Sequence, residues 1–445
     1  MVGYTKDDIR ILVQENDVKF IRLQFTDIFG VLKNVAVTAS QLEKILSGKC
    51  MFDGSSIDGF VRIEESDMFL EPDLDTFVVF PWRPQHGKVA RFICDIVNFD
   101  GTPFVGSPRY VLKKIINKAK LMGFHMNIGP ECEFFLLQTD DNGSPIMKPH
   151  DKASYFDLGP ADKGENSRRE ICLTLEDMGF TIESSHHEQA AGQHEVDFRY
   201  CEALKAADNL ETLKLVVKTV AQRNGYFATF MPKPFNGQNG SGMHINISLS
   251  NGEKNLFDDP DDKNGLGLSE TAYQFLAGVL FHIRGLSLLT NPIVNSYKRT
   301  NSGFEAPSYI AWSLANRSPL IRIPSRRGEY TRIEMRNPDT SINPYLAFAG
   351  ILAAGLDGIE KKMTPPACIN GNIYEMTDAQ RADLGIEKFT QTLGEAIKAF
   401  EKDDILKECL GDHLCTKYIQ AKKEEWKEYC NTVNTWEINK YIDIY

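Results

Sequence analysis

The chain has 445 residues, 50 of them basic and 61 acidic, giving a net charge of −11; 42% are hydrophobic and 25% charged. With 27 Phe, 15 Tyr and 4 Trp along its length it is not an intrinsically disordered polymer, and its acidic balance disfavours a nucleic-acid partner. The stretch read as most apolar, residues 345–356, is well short of the ~20 residues a transmembrane helix needs, and MVGYTKDDIR lacks an apolar signal region. Neither a membrane nor a nucleic acid is therefore expected as a partner. In chain order, Thr5 caps a first helix with Asp8 closing a capping box. Residues 18–25 alternate as a strand, 27–30 turn, and 31–37 return. Ser40 opens a short helix to Leu46, and strands follow at 76–81 and 90–97. Turn formers cluster at Asp100-Gly-Thr-Pro103, which marks a domain boundary and divides the chain into 1–103 and 104–445. Helical periodicity then covers 107–120, 165–178, 204–224, 268–290 and 341–360. From Ile386 onward the pattern is helical, charged and exposed. Nine scattered cysteines, without a CxxC, read as reduced thiols of a cytoplasmic protein.

Four strand-like segments share a habit. Residues two apart on a strand share a face. In GPECEF (129–134), Glu131 and Glu133 point one way. In QHEVDFR (193–199), Glu195, Asp197 and Arg199 oppose Val196 and Phe198. In MHINISL (243–249), His244, Asn246 and Ser248 oppose a line of apolar residues. In RIEMR (332–336), Arg332, Glu334 and Arg336 oppose Ile333 and Met335. A single amphipathic strand has a wet face for no reason beyond solubility. Four whose polar positions hold Glu, Arg, His and Asn depart from strand propensity, and their acids need a cation if they converge. The segment Glu183-Ser-Ser-His186-His187-Glu188 supplies one more acid. If these segments converge, five of their carboxylates and one imidazole would form an oxygen-rich donor set that suits two or three Mg²⁺ or Mn²⁺ ions rather than zinc.

Residues 298–336 carry Lys298 and seven arginines against three acids. Arginine's planar fork binds carboxylate and phosphate oxygens in pairs, so this run beside a metal-holding wall suits a metal-bound polyphosphate. Neither GxxxxGK[ST] nor GxGxxG after a strand is present. The loop from Lys233 to Gly242 is glycine-rich and enters the His244 strand. The run Thr300-Asn-Ser-Gly-Phe-Glu305 reads as a flap with a carboxylate at its tip.

Taken together, FDGSSIDGF, GPECEFFL, HHEQAAGQHEVDF, KPFNGQNGSGMHINIS, NPIVNSYKR, NRSPLIRIP and TRIEMRNPDTSINPYLAF resemble type I bacterial glutamine synthetases over essentially the whole chain. The resemblance implies an α+β fold, with a small N-terminal β-grasp-like domain and a large catalytic domain whose curved antiparallel sheet is surrounded by helices. It implies a homo-oligomer of two stacked hexameric rings, with sites shared between subunits. The activity implied is ATP-dependent ligation of ammonia to L-glutamate through γ-glutamyl phosphate. Glu133, Glu188 and Glu195 match one metal site, and Glu131, His244 and Glu334 the other. Asn239, Gly240, Arg299 and Arg336 match the glutamate contacts; Glu183, Asn246, Ser248, Arg322 and Arg332 match the nucleotide contacts. Arg317 matches a residue on the transferred phosphate, Glu305 the flap carboxylate, and Asp53 of the neighbouring subunit the ammonium-site base. Arg62, in GFVRIEESD, matches the arginine of the shorter branch inhibited directly by glutamine. The alternatives are a γ-glutamyl-amine ligase and, outside catalysis, a nitrogen-status scaffold that binds a transcription regulator.

Overall fold

The computed structural model describes residues 3–57, 59, 67–83, 86–301, 306–314 and 316–445. The expectations for Arg62 and Glu305 fall outside these residues. The strands are β1 Val18–Thr26, β2 Leu32–Thr38, β3 Cys50–Asp53, β4 Asp67–Val79, β5 Lys88–Val97, β6 His125–Thr139, β7 Pro145–Pro149 and β8 Ile182–His187. They continue as β9 Gln193–Phe198, β10 Cys201–Glu202, β11 Tyr226–Thr229, β12 Met243–Ser250, β13 Tyr309–Ser313, β14 Pro319–Arg322, β15 Ile333–Met335 and β16 Glu387–Lys388.

The first five strands form a sheet in the order β2-β1-β5-β4-β3, in which β1 and β5 run parallel. The N-terminal helix Lys6–Glu15 starts as expected: the Asp8 N–H donates to Thr5 Oγ1 at 3.2 Å, and the Thr5 N–H to Asp8 Oδ2 at 2.8 Å. The second sheet runs β16-β13-β14-β15-β12-β6-β9-β8, with β7, β10 and β11 also paired to β6. It is antiparallel except for β13 on β14. The expected antiparallel sheet is thus mixed at one edge.

The helices Ala203–Arg223, Glu270–Thr290 and Pro344–Glu360 pack with this sheet into one continuous apolar core. Among the described residues one helix, Glu270–Thr290, is long and apolar enough to cross a membrane by length and composition, and 78% of that window is buried inside the fold. Gly278 on that helix and Gly358 on its neighbour let the backbones touch; a Cβ at 278 would lie 2.7 Å from the Gly358 nitrogen.

The C-terminal expectation needs correcting. Leu393, Ile397, Phe400, Leu406, Leu410, Leu414 and Tyr418 are buried, so the helices from Leu393 to about Tyr418 belong to the core, while residues 431–445 are mostly exposed.

Two joints tie the N-terminal sheet to the rest. Gly30, with φ +81°, turns β1 into β2 and packs against Asn343, whose side-chain amide donates to the Asp27 carbonyl at 3.0 Å. Buried Arg109 donates to Asp73 on β4, Asp95 on β5 and Asp208 on the helix Ala203–Arg223, at 2.6, 2.8 and 2.9 Å. Removing Arg109 would leave the buried Asp208 carboxylate without its countercharge. All nine cysteines are free.

Candidate functional site

Strand pairing assembles the polar lines into three rungs. Across β8, β9 and β6, His186 opposes Glu195 and Glu195 opposes Glu133. One step along, Ser184 opposes Asp197, Asp197 opposes Glu131, and Glu131 opposes His244 on β12. The third rung joins Gly129, Asn246, Glu334 and Arg322 across β6, β12, β15 and β14. Residues directly opposite on neighbouring strands have Cβ atoms only ~5 Å apart, so register alone gathers groups remote in sequence.

The rungs wall a cleft of about 370 Å³ lined by Glu131, Glu133, Glu188, Glu195, His244 and Glu334, with His186, Arg317, Arg322 and Arg336. Within it are two compact groups, Glu131–His244–Glu334 and His186–Glu188–Glu195, each with donor atoms within 4.8 Å of one another. His244 Nδ1 lies 2.9 Å from Glu131 Oε2. Arg322 and Arg336 hold Glu334 at 2.7 and 2.8 Å. His186 Nε2 lies 2.8 Å from Glu188 Oε1. Glu133 is adjacent but tethered: the Gln193 side-chain amide and the Gly242 N–H donate to its Oε2 at 2.7 and 2.9 Å. The glycine-rich loop thus orients a wall carboxylate.

The electrostatics single out this wall. Burial, then the charge of Glu188, pushes the Glu133 carboxyl up to about 8 against the pull of Arg299. Burial, then Asp197 and Glu133, raises Glu195 well above the usual range. Burial raises Asp197 to about 6 despite a hydrogen bond from Ser184. Glu131 is the contrast: burial works against ionisation, but hydrogen bonds from His244 and Asn246 outweigh it and bring the carboxyl to about 2. Acids that repel one another inside a buried wall are a donor set lacking its countercharge. A divalent cation fits that deficit, and carboxylate oxygens with one imidazole per group suit Mg²⁺ or Mn²⁺.

A second pocket continues from the first through Glu131 and is lined by Glu183, Asn246, Ser248 and Arg332, with Phe198, Tyr200 and Tyr330. Arg332 Nε donates to Asn246 Oδ1 at 2.8 Å, and Asn246 Nδ2 donates to Glu131 Oε1 at 2.9 Å, so one amide links the two pockets. Arg322, grouped by resemblance with the nucleotide contacts, lies in the cleft on Glu334 instead.

Of the expected glutamate contacts, Arg336 lines the cleft. Arg299 is buried, donating to the carbonyls of Asn337, Pro338 and Arg336. Asn239 donates to the Gln189 side chain at 2.8 Å, and the Gly240 carbonyl accepts from Gln193 at 3.2 Å. Asp53 does not line the cleft. It sits exposed at the end of β3, where the Ser55 hydroxyl and then its N–H hold the carboxyl below the usual range.

Sequence reasoning gave no role to His186, Asp197 or Gln193. His186 and Asp197 stood in quoted motifs: a rung alignment of QHEVDF on GPECEF finds Asp197 opposite Glu131, and one of ESSHH on QHEVDF finds His186 opposite Glu195. No local signal marks Gln193.

The chain matches the family model for the glutamine synthetase catalytic domain over residues 105–441 and the β-grasp domain model over residues 17–99. It is 58% identical to the glutamine synthetase of Clostridium saccharobutylicum over 445 residues, all of both chains. It is 55% identical to that of Staphylococcus aureus strain MW2 over 443 residues, 99% of each. Among solved structures, an ADP complex of GmaS superimposes with TM-score 0.89 at 34% identity, covering 98% of this chain and 99% of that one. The Plasmodium falciparum glutamine synthetase superimposes at 0.87 with 27% identity, covering 99% of both.

Proposed function

Because the chain belongs to the glutamine synthetase family, we propose that it makes L-glutamine from L-glutamate, ammonia and ATP by way of γ-glutamyl phosphate. The observation that carries this reading is the meeting of acids, imidazoles and arginines on three adjacent rungs of one sheet, at the junction of two pockets. A carboxylate carbon does not accept an amine, because oxide is not a leaving group. Phosphorylation by ATP converts that oxygen into phosphate, which leaves.

We assign Glu133, Glu188 and Glu195 to one cation, with His186 beside them, and Glu131, His244 and Glu334 to another. Mg²⁺ or Mn²⁺ held there supplies Lewis-acid neutralisation of phosphate oxygens. Glu183, Asn246, Ser248 and Arg332 hold the nucleotide. Arg317 and Arg322, in the cleft, offset charge on the phosphoryl group as it moves, which is ordinarily the largest catalytic contribution. Asn239, Gly240, Arg299 and Arg336 hold glutamate. Glu305, which the resemblance matches to the flap carboxylate, excludes water from the acyl phosphate.

Asp53 is not among the residues that line the cleft of its own chain, and we assign it to the cleft of a neighbouring subunit. An exposed carboxylate kept ionised by Ser55 suits capture of ammonium and removal of its proton. That division of labour makes residues 1–103 an ammonium-side unit for the next subunit and 104–445 the catalytic unit. It requires a homo-oligomer, here two stacked hexameric rings in the cytoplasm. Arg62 serves feedback inhibition by glutamine, and a glutamine-bound assembly offers a surface to transcription regulators.

Phosphate release with glutamate and ATP, with and without ammonium, tests the assignment. Release that rises with ammonium and matches glutamine formed is expected. Equal turnover on methylamine would move the reading to an amine ligase, and no coupling to any amine would refute it.

A further inference from the structure

Behind the acidic wall lies a second, fully buried polar cluster with no place in the chemistry above. Strand alternation turns His187 away from His186, and His194 away from Glu195, toward the loop and helix that carry His150, Asp151, Asp162 and Arg168. The side chains of His150, Asp151 and His187 have no exposure at all. The cluster is not a cation site of its own: the Arg168 guanidinium already lies among these groups, 2.8 Å from Asp162 Oδ2 and 2.9 Å from His194 Nδ1.

Asp151 reaches both ends of the segment that connects the two acids. Its Oδ1 accepts from the Gly192 N–H at 2.9 Å and lies 3.2 Å from His187 Nε2. Its Oδ2 lies 3.0 Å from His150 Nε2 and accepts from the Lys163 N–H at 3.2 Å. The other ring nitrogen of His187 is 2.6 Å from the Glu188 carbonyl. One carboxylate thus grips the backbone at Glu188, through His187, and at Gly192, three residues before Glu195. The connection itself is tight: the Glu188 N–H donates to the Gln193 carbonyl at 2.8 Å, and Gly192 takes φ +72°, where a Cβ would lie 2.9 Å from the Leu136 carbonyl.

We propose that Asp151 and His187 are positioning residues for a divalent cation on Glu188 and Glu195, holding from behind the backbone from which both carboxylates project. The proposal rests on the cation reading of the cleft. Ligand geometry must be held to roughly 0.5 Å, and that precision comes from outer partners such as these. Loss of an outer partner typically costs roughly 10–100-fold in metal affinity.

The test is Mn²⁺ titration of the full-length protein, followed by the electron paramagnetic resonance of free Mn²⁺. The variants are Asp151→Asn, His187→Gln, Glu188→Ala and, as a packing control, Asp208→Asn, which weakens a buried pair with Arg109, neither residue lining the cleft. Glu188→Ala is expected to abolish one class of sites. Asp151→Asn and His187→Gln are expected to weaken that same class by roughly 10–100-fold, leaving the other class unchanged and full occupancy reachable at higher Mn²⁺. Asp208→Asn is expected to lower thermal stability without moving the titration. If both positioning variants overlay wild type while Glu188→Ala does not, the proposal fails and the cation reading stands. If Glu188→Ala also overlays, the cation reading itself fails. If Asp208→Asn shifts the titration as far as Asp151→Asn does, the effect is general loosening and the proposal is overturned.

Discussion

Replacing Glu133 by glutamine should have opposite effects on the metal-free and metal-loaded protein. Without a cation, burial and the charge of Glu188 hold the Glu133 carboxyl at about 8, against 4.5 for a free side chain. The folded state therefore keeps a proton that the unfolded state has released. The stability contribution is intact below about pH 4 and is lost progressively as pH rises through about 8. At pH 7 the loss covers about 2.5 units, or ~3 kcal/mol at 1.36 kcal/mol per unit. A glutamine side chain cannot ionise, and its carbonyl oxygen can still accept from Gln193 and Gly242, so the variant escapes most of that penalty. For 445 residues at ~2.1 cal/mol/K each, the unfolding entropy is ~0.9 kcal/mol/K, so ~3 kcal/mol raises Tm by about 3 °C. Saturating cation at about 100 times Kd stabilises the wild type by ~2.7 kcal/mol, and the Glu133→Gln protein, whose amide is a poor ligand, forfeits most of it. Scanning calorimetry at one protein concentration and scan rate, in EDTA and in Mn²⁺, reads both effects. A Glu133→Gln protein that melts below wild type in EDTA and gains as much from Mn²⁺ would refute the account of this wall.

Other consequences are equally direct. Asp53→Ala should leave ATP and glutamate binding intact while cutting turnover at low ammonium by roughly 10²–10⁴-fold; an unchanged ammonium dependence would remove Asp53 from the reaction. Gly242→Ala would press a methyl group into the Arg299 guanidinium, so KM for glutamate should rise well before kcat falls, and steady-state kinetics with varied glutamate would show it. Burial raises Glu211 to about 7 against the attraction of Lys214 and Lys218, so its stability contribution is present near pH 4 and lost through pH 7. Glu211→Gln should therefore flatten the decline in stability between pH 5 and 8, by at most ~3 kcal/mol, as read by urea denaturation at several pH values. A parallel pH profile for variant and wild type would show that Glu211 is compensated in place.

The strands that build the cleft were legible because alternation is a local property. GPECEF, QHEVDF, MHINIS and RIEM each show which residues share a face, whatever they pair with. The core helices were legible for the same reason, through their 3.6-residue period. The C-terminal helices were misjudged because charged residues are interleaved with the apolar positions that decide burial between Leu393 and Tyr418. Their burial depends on a partner surface that includes the helix Glu270–Thr290, more than a hundred positions earlier.

Tertiary structure alone settled register. Glu131 meets His244 across 113 residues, and Arg322 meets Glu334 only because β14 pairs with β15. A slip of one residue would turn every one of these side chains to the other face. Nor could periodicity reveal the Asp151 cluster, whose members come from a loop, a helix and the reverse faces of two strands. Local sequence decides which way a side chain points along its own strand. Which groups then lie within hydrogen-bonding reach is a matter of long-range pairing, set by burial of the opposite, apolar faces.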